Sequence, residues 1–303
     1  MKPRFSKFLL SLSLGTLISL SQVSYAQEYI QIEPLFEYPT APESLSSLVD
    51  KSNYLIEHFW DSMDFKKTTP VDQNALNDAM KVYSVPLRWA DLSTAEAGVD
   101  RLIEKLSKNP TLLTQFTKAA EEILYGPRAE FWVDAVYVKF LDAYTKNKKI
   151  PAARKTKYEK QLQTLRNSTV GNQAPSFEFN GKNGKNEKYM PMSTPTIIVF
   201  GNPVDTDWRM TRLKMETNVP LRQAVDQGKL NILFIVPFKA DNWEKETSNY
   251  PSTWTIGEAP NVSDIIDIRA NPSVYLIGGD GNIVLKNVTV PMAVNEALNR
   301  ISQ

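Results

Sequence analysis

Apolar residues recur every three to four positions along the first half of the chain, from residue 40 to about residue 168. This spacing places them on one face of successive amphipathic helices. The first helix is predicted to begin near Thr40-Ala-Pro-Glu43, where a proline suits the first turn. Further apolar faces lie within residues 99–106, 112–123 and 129–144. The pattern predicts a helical region.

The pattern changes after Asn167-Ser-Thr-Val-Gly171 to short apolar runs that are typical of strands. Strands are predicted at 177–179, 196–200, 231–238, 273–277 and 283–286, and helices at 206–227, near 241–248 and at 291–301. Gly278-Gly-Asp-Gly-Asn282 separates the last two strands and favours a hairpin turn. This order predicts an α/β fold with a mixed central sheet flanked by helices.

Residues 1–26 have the composition of a secretory signal peptide. Lys2, Arg4 and Lys7 precede a short apolar run, and small residues stand at Ser24 and Ala26. The run is too short and too rich in serine for a membrane span. We therefore expect cleavage between Ala26 and Gln27 and export to the periplasm or cell envelope.

Charge and cysteine content narrow the classes of function. Without residues 1–26 the chain has 32 basic and 34 acidic residues, a net charge of −2, which does not indicate nucleic acid or an anionic membrane as the main partner. The chain contains no cysteine, which excludes disulfides, thiolate chemistry and a lipid-modified cysteine anchor. We expect no cofactor, no metal and no membrane span in the mature chain.

The junction between the second predicted strand and its helix is the main candidate for a site. It holds Asp205, Asp207 and Trp208. We expect the carboxylates to cap the helix, although an acid–base pair or a metal site is the alternative. Trp208 is either a packing residue or part of a recognition surface. His58 is the only histidine, and we expect it to have a packing or surface role.

The second half resembles the thioredoxin-like domains of the alkyl hydroperoxide reductase and membrane-tethered thioredoxin type. The resemblance begins at Gly171-Asn-Gln-Ala-Pro175 and includes the strands at 196–200 and 231–236. It ends with Asp267-Ile-Arg-Ala-Asn271-Pro272 and the hairpin that follows. The first half looks like an uncharacterised helical module, a domain of unknown function, that precedes such domains in exported Gram-negative proteins. Together with the leader at 1–26 and the change of pattern near residue 168, the resemblance predicts a signal peptide over 1–26, a helical domain over 27–168 and a thioredoxin-like domain over 169–303.

The resemblance also implies a site that has lost its chemistry. The family's Cys-x-x-Cys motif falls on Asp205 and Trp208, and the proline that is cis in the family falls on Pro272, preceded by Asn271. A carboxylate cannot exchange disulfides. We expect a redox-inactive protein with a protein-binding, peptide-binding or scaffolding role. One hypothesis is that Asp205, Trp208, Asn271 and Pro272 line a shallow peptide groove with Trp208 as its apolar contact, and the alternative is that the cis proline only supports the fold. The alternatives are an accessory that binds the client of a thiol-redox system without electron transfer, and a hydrolase or metal-dependent enzyme that uses Asp205 and Asp207.

Export can be checked directly on the protein from cells. We predict that the mature chain begins at Gln27, because the basic start, the apolar run and Ser24-Tyr-Ala26 form a cleavable leader. N-terminal sequencing of the protein from the envelope fraction measures this. A cytoplasmic product that begins at Met1 would contradict it.

Overall fold

The computed structural model describes residues 33–302, except residues 128, 183 and 192. The expected signal peptide and its cleavage site lie outside the described residues. The described residues from 34 to 302 form one compact unit. None of the helices in the described part of the chain combines the length and the apolar character needed to cross a membrane.

The first half is helical, as the periodicity predicted. Its six α-helices are α1 (Leu48–His58), α2 (Gln73–Ser84), α3 (Leu92–Ser107), α4 (Pro110–Leu124), α5 (Asp134–Lys146) and α6 (Thr156–Asn167). The first helix begins at Leu48 and not near Thr40, because the Ser47 side chain accepts a hydrogen bond from the Asp50 N–H and caps it there. The helices enclose an apolar core around Phe59, Tyr83 and Phe116, all at most 2% exposed.

The second half is a mixed seven-stranded sheet with helices. Its strands are β1 (Phe177–Gly181), β2 (Asn186–Tyr189), β3 (Thr196–Phe200), β4 (Asn231–Val236), β5 (Thr255–Glu258), β6 (Ser273–Ile277) and β7 (Ile283–Lys286), in the order β2-β1-β5-β4-β3-β6-β7. Strands β3, β4 and β5 pair in parallel, and the other neighbouring pairs are antiparallel. The helices are α7 (Thr206–Glu216), α8 (Val219–Asp226), α9 (Trp243–Glu246) and α10 (Val290–Ile301). Fold class and hairpin agree with the sequence prediction.

Three details of the second half differ from the prediction. The helix predicted over 206–227 is two helices, because Asn218 caps α8 and Pro220 suits its first turn. Strand β2 was missed because its sequence, NEKY, is polar and lies at the edge of the sheet. Strand β5 was missed because it follows a polar segment, yet it lies inside the sheet between β1 and β4. Gly257 permits this position, since a Cβ there would lie 2.3 Å from the Phe179 ring.

A buried cluster of charges joins the helical half to the sheet. The Asp267 side chain is 1% exposed, and its carboxylate accepts two hydrogen bonds of 2.7 Å from Arg269 and pairs with Lys286 at 2.7 Å. Both cations also reach Asp134, the first residue of α5, at 2.6 Å. The Arg269 guanidinium lies over the rings of Tyr125 and Trp132, at 4.0 and 4.6 Å. We call these four charged side chains the ion cluster.

The ion cluster determines the ionisation of its own members. Burial alone would raise the pKa of the Asp267 carboxyl, but hydrogen bonds and charge from Arg269 and Lys286 outweigh burial and hold this pKa below its usual value. Burial would likewise lower the pKa of Arg269, and Asp267 and Asp134 raise it instead. Asp267 is also fixed through its backbone, because its N–H donates to the Ser168 hydroxyl at 2.7 Å. The Tyr275 hydroxyl donates to its carbonyl oxygen.

We predict that Arg269→Ala lowers the free energy of unfolding by about 3–5 kcal/mol near pH 7, because it leaves a buried carboxylate with one partner. Urea unfolding measures the loss. The Asp267 pKa is lower in the folded chain than in the unfolded chain. Its stabilisation is therefore present above about pH 4 and is lost as the pH falls through the depressed pKa, so the difference between variant and wild type should narrow there.

Arg300→Ala is the matched control for this substitution. Arg300 pairs with Glu296 at 2.7 Å on the surface of α10, and its side chain is 47% exposed. A surface pair of this kind contributes about 0–1 kcal/mol. Equal losses for the two variants would show that the ion cluster does not stabilise the fold.

Candidate functional site

Asp205 lies where β3 passes into α7, as the resemblance implied. It is the N-cap residue of α7, but its side chain makes no capping hydrogen bond. Its carboxylate instead accepts a hydrogen bond of 3.0 Å from the side-chain amide of Asn271. The expectation that this carboxylate caps the helix is therefore wrong. The tertiary contact with Asn271 takes its place and joins the start of α7 to the segment before β6.

The Asn271–Pro272 peptide bond is cis. Pro272 lies beside Gly201, where an added Cβ would come within 3.3 Å of the proline Cβ and 2.7 Å of the Trp208 ring. A glycine is therefore required at residue 201 for these side chains to meet behind the end of β3. The structure thus brings Asp205, Trp208, Asn271 and Pro272 together, although they come from two separate segments.

Trp208 is a core residue and not a surface contact. Its indole is 0% exposed, its N–H donates to the Tyr250 hydroxyl at 2.5 Å, and its ring packs edge-on against Phe234 with centroids 4.9 Å apart. Tyr250 and Trp254 pack against the same Phe234 ring. The hypothesis that Trp208 provides the apolar contact of a groove is therefore wrong, because the indole does not reach the surface. The packing alternative is confirmed.

The surface at this position is small and consists largely of backbone. Val204 is 52% exposed and Asn271 is exposed, while Asp205 and Pro272 are half-buried. Among the described residues, none forms a hydrogen bond with the backbone N–H or C=O of Asn271. We call Val204, Asp205, Asn271 and Pro272 the proline site. It offers one apolar side chain beside a free backbone donor and acceptor.

The acid–base and metal alternatives find no support in the arrangement of the carboxylates. Asp207 is exposed, whereas Asp205 is engaged by Asn271. Within the part of the chain that the structure describes, no three His, Cys, Asp or Glu residues are grouped as metal ligands would be. His58 lies in the helical half, with its Nδ1 2.9 Å from the Asp61 carboxylate and its ring 4.4 Å from that of Tyr54.

Sequence reasoning missed the residues that hold the proline site in place. Arg269 stands two positions before Asn271 and anchors that segment to Asp267 and Asp134. Tyr250 fixes Trp208 from the segment that follows the helix predicted near 241–248. The sequence feature that could have identified Arg269 is its position two residues after Asp267 and shortly before a buried strand. Opposite charges this close to the core are expected to pair with each other. No local signal identified Tyr250.

Comparisons with known proteins identify a family for the first half and a similar fold for most of the chain. A family model described as a domain of unknown function, DUF5106, matches residues 16–168. No curated protein matches the sequence. The crystal structure of a thioredoxin-like protein from Bacteroides caccae is similar over 88% of this chain and 99% of its own, with a TM-score of 0.70 and 19% identity, which shows the fold.

Two further structures are similar to less than half of this chain. The thioredoxin domain of a thiol-disulfide oxidoreductase from Bacteroides vulgatus has 16% identity over 44% of this chain and 98% of its own, with a TM-score of 0.39. A conserved protein of unknown function from Bacteroides fragilis has 22% identity over 43% of this chain and 98% of its own, with a TM-score of 0.40.

We predict that Trp208→Ala lowers the free energy of unfolding by about 3–5 kcal/mol, because it empties a fully enclosed space and leaves the Tyr250 hydroxyl without its donor. Urea unfolding measures this. Trp89→Ala is the control of the same residue type, since Trp89 is 50% exposed, and it should cost less than about 1 kcal/mol. Comparable losses in the two variants would refute the assignment of Trp208 to the core.

Proposed function

This chain belongs to the DUF5106 family, and on that premise we propose that it is a redox-inactive binding protein of the cell envelope that holds extended peptide segments at the proline site. The thioredoxin-like fold is retained, while the chain contains no cysteine. Disulfide exchange requires an attacking thiolate and a resolving partner, and the chain supplies neither. The absence of cysteine supports a role in binding without electron transfer.

The free backbone of Asn271 carries this proposal. An extended peptide adds to a protein mainly through main-chain hydrogen bonds, so a free N–H and C=O beside a strand end is the feature it needs. The Asp205 carboxylate holds the Asn271 side chain at 3.0 Å. That side chain is therefore engaged by Asp205, while Asn271 as a residue is exposed and its backbone has no hydrogen-bond partner among the described residues. Binding of this kind needs no sulfur.

Val204 supplies the apolar part of the proposed site. It is 52% exposed and belongs to the loop that leads into α7, beside Asp205. The backbone of this loop is fixed internally, because the Asp205 N–H donates to the Asn202 carbonyl oxygen at 3.0 Å and the Val204 N–H donates to the Asn202 side chain at 3.2 Å. A rigid loop with an exposed valine can cover one apolar side chain of a bound peptide with little loss of conformational freedom.

The location in the envelope rests on the composition of residues 1–26, which lie outside the described residues. A basic start and an apolar run that ends in Ser24-Tyr-Ala26 are the features of an export signal. Peptides or unfolded segments of other envelope proteins are then the ligands that the proposed site would meet.

We predict that the full chain binds peptides selected from a random display library and that the amide NMR shifts of residues 201–207 and 268–274 change on titration. Val204→Lys should weaken the selected peptide's Kd about fivefold, because a half-exposed valine contributes about 1 kcal/mol when it is covered. Isothermal titration calorimetry measures the change.

Val219→Lys is the matched control, because Val219 is 50% exposed at the start of α8, and it should leave the Kd unchanged. Shift changes confined to residues 48–167 would place binding in the helical half. An equal effect of the two lysine variants would also exclude the proline site as the binding surface.

A further inference from the structure

Three segments of the helical half meet at one of its ends. Residues 64–68 precede α2, residues 104–111 join α3 to α4, and residues 146–155 join α5 to α6. Two asparagines tie them together. The side-chain amide of Asn109 donates to the carbonyl oxygens of Phe65 and Lys67, at 3.1 and 2.8 Å, and that of Asn147 donates to the Ser107 carbonyl oxygen at 3.0 Å.

These three segments concentrate positive charge. They contain nine basic residues and two acidic ones, Asp64 and Glu104, whereas the whole chain has 35 basic and 34 acidic residues. We call this surface the basic end. Its cations are Lys66, Lys67, Lys105, Lys108, Lys146, Lys148, Lys149, Arg154 and Lys155. The nearly neutral balance of the whole chain conceals this local excess.

Local structure accounts for four of the nine cations. Lys105, Lys108 and Lys146 lie at the carboxyl ends of α3 and α5, where positive charge offsets the helix dipole. Lys108 also pairs with Glu104 at 3.0 Å, and Lys146 with Asp142 at 3.0 Å. Lys155 donates to the Asn147 carbonyl oxygen at 2.8 Å. Each of these four has a structural reason to be present.

The other five cations have no such reason. Lys66, Lys67, Lys148, Lys149 and Arg154 are exposed, and no carboxylate among the described residues pairs with them. Lys148 and Lys149 lie beyond the end of α5, and Lys66 and Lys67 lie in a loop. Like charges gathered in this way repel one another and lower the stability of the fold. A partner that carries negative charge would offset that cost.

The chemistry of the basic end selects among anionic partners. None of the large apolar side chains that are exposed lies in its three segments, and Phe65 is half-buried beneath the Lys105 ammonium at 5.2 Å. Protein partners usually cover an apolar centre, and single-stranded nucleic acids stack on exposed aromatic rings. Eight of the nine cations are lysine. A lysine ammonium is a point charge, whereas the planar guanidinium of arginine can bind a single phosphate through two hydrogen bonds in a fixed geometry. A layer of phosphate headgroups requires only dense, accessible positive charge.

We propose that the basic end docks this protein onto the surface of an anionic phospholipid bilayer, without insertion into the hydrocarbon. The attraction is electrostatic and summed over several lysines, so it is reversible and weakens with salt. This interaction is independent of peptide binding at the proline site, since the two surfaces lie on different halves of the chain.

Co-sedimentation of the chain that begins at Gln27, the predicted mature N-terminus, with vesicles tests the proposal. Vesicles of phosphatidylcholine with about 30 mol% phosphatidylglycerol should bind the wild type at low salt, and pure phosphatidylcholine should not. The variant K66Q/K67Q/K148Q/K149Q should bind the anionic vesicles about 600-fold more weakly, because each of the four lysines near the surface contributes about a fivefold factor. Binding of the wild type should be lost at about 0.5 M NaCl, where charges are screened within a few ångströms.

The variant K188Q/K214Q/K229Q/K239Q is the matched control. It removes the same charge from four exposed lysines of the sheet half and should keep its affinity within about threefold, since these lysines lie outside the basic end. Thermal melts confirm that both variants fold. Wild type and variants all begin at Gln27, the predicted mature N-terminus, so the basic and apolar residues 1–26 do not contribute to vesicle binding.

Three results would overturn the proposal: equal losses in the two variants, binding that persists at high salt, or no binding of the wild type to anionic vesicles. Tighter binding to polyglutamate or to single-stranded DNA than to anionic vesicles of equal total charge would assign the basic end to an acidic polypeptide or to nucleic acid instead.

Discussion

The ion cluster is the constraint on which the arrangement of this protein depends. A carboxylate as buried as that of Asp267 is tolerated only with both of its cations in place, and the two cations in turn need the second carboxylate of Asp134. Asp134 belongs to the helical half and the other three belong to the sheet half. The positive and negative charges at this contact therefore balance only when both halves are present. The sheet half alone would carry two cations and one carboxylate there.

The ion cluster also sets the position of the proline site. Arg269 is fixed at both of its carboxylate partners and lies over two aromatic rings of the helical half, two residues before Asn271. From the other side, Asn271 is held by Asp205 at the start of α7. The segment that ends in the cis peptide is thus anchored at two points, one in each half of the fold. The chain contains no cysteine, and this anchoring depends on none.

Trp208 shows that the junction between β3 and α7 is packed into the core. Its side chain is fully buried, packs edge-on against Phe234 and donates a hydrogen bond to Tyr250. The strand-to-helix junction that the sequence suggested as a site therefore contributes Trp208 to the core. The two surfaces that we propose as binding sites consist mainly of exposed backbone or exposed charge. The proline site lies in the sheet half and would bind through main-chain hydrogen bonds. The basic end lies in the helical half and would bind through the summed electrostatic attraction of its cations.

The sequence by itself determined the fold class, because apolar periodicity reports which faces are buried and turn residues report where elements end. It also determined the absence of thiol chemistry, since that follows from composition. Tertiary structure decided the rest. The polar edge strand β2 and the strand β5 between β1 and β4 form only through pairing with neighbouring strands. The Asp205 carboxylate accepts a hydrogen bond from Asn271 and does not cap α7, because the fold brings Asn271, which is distant in sequence, within 3.0 Å. Burial of Trp208 and the convergence of lysines at the basic end depend likewise on contacts between segments far apart in sequence, which no local pattern records.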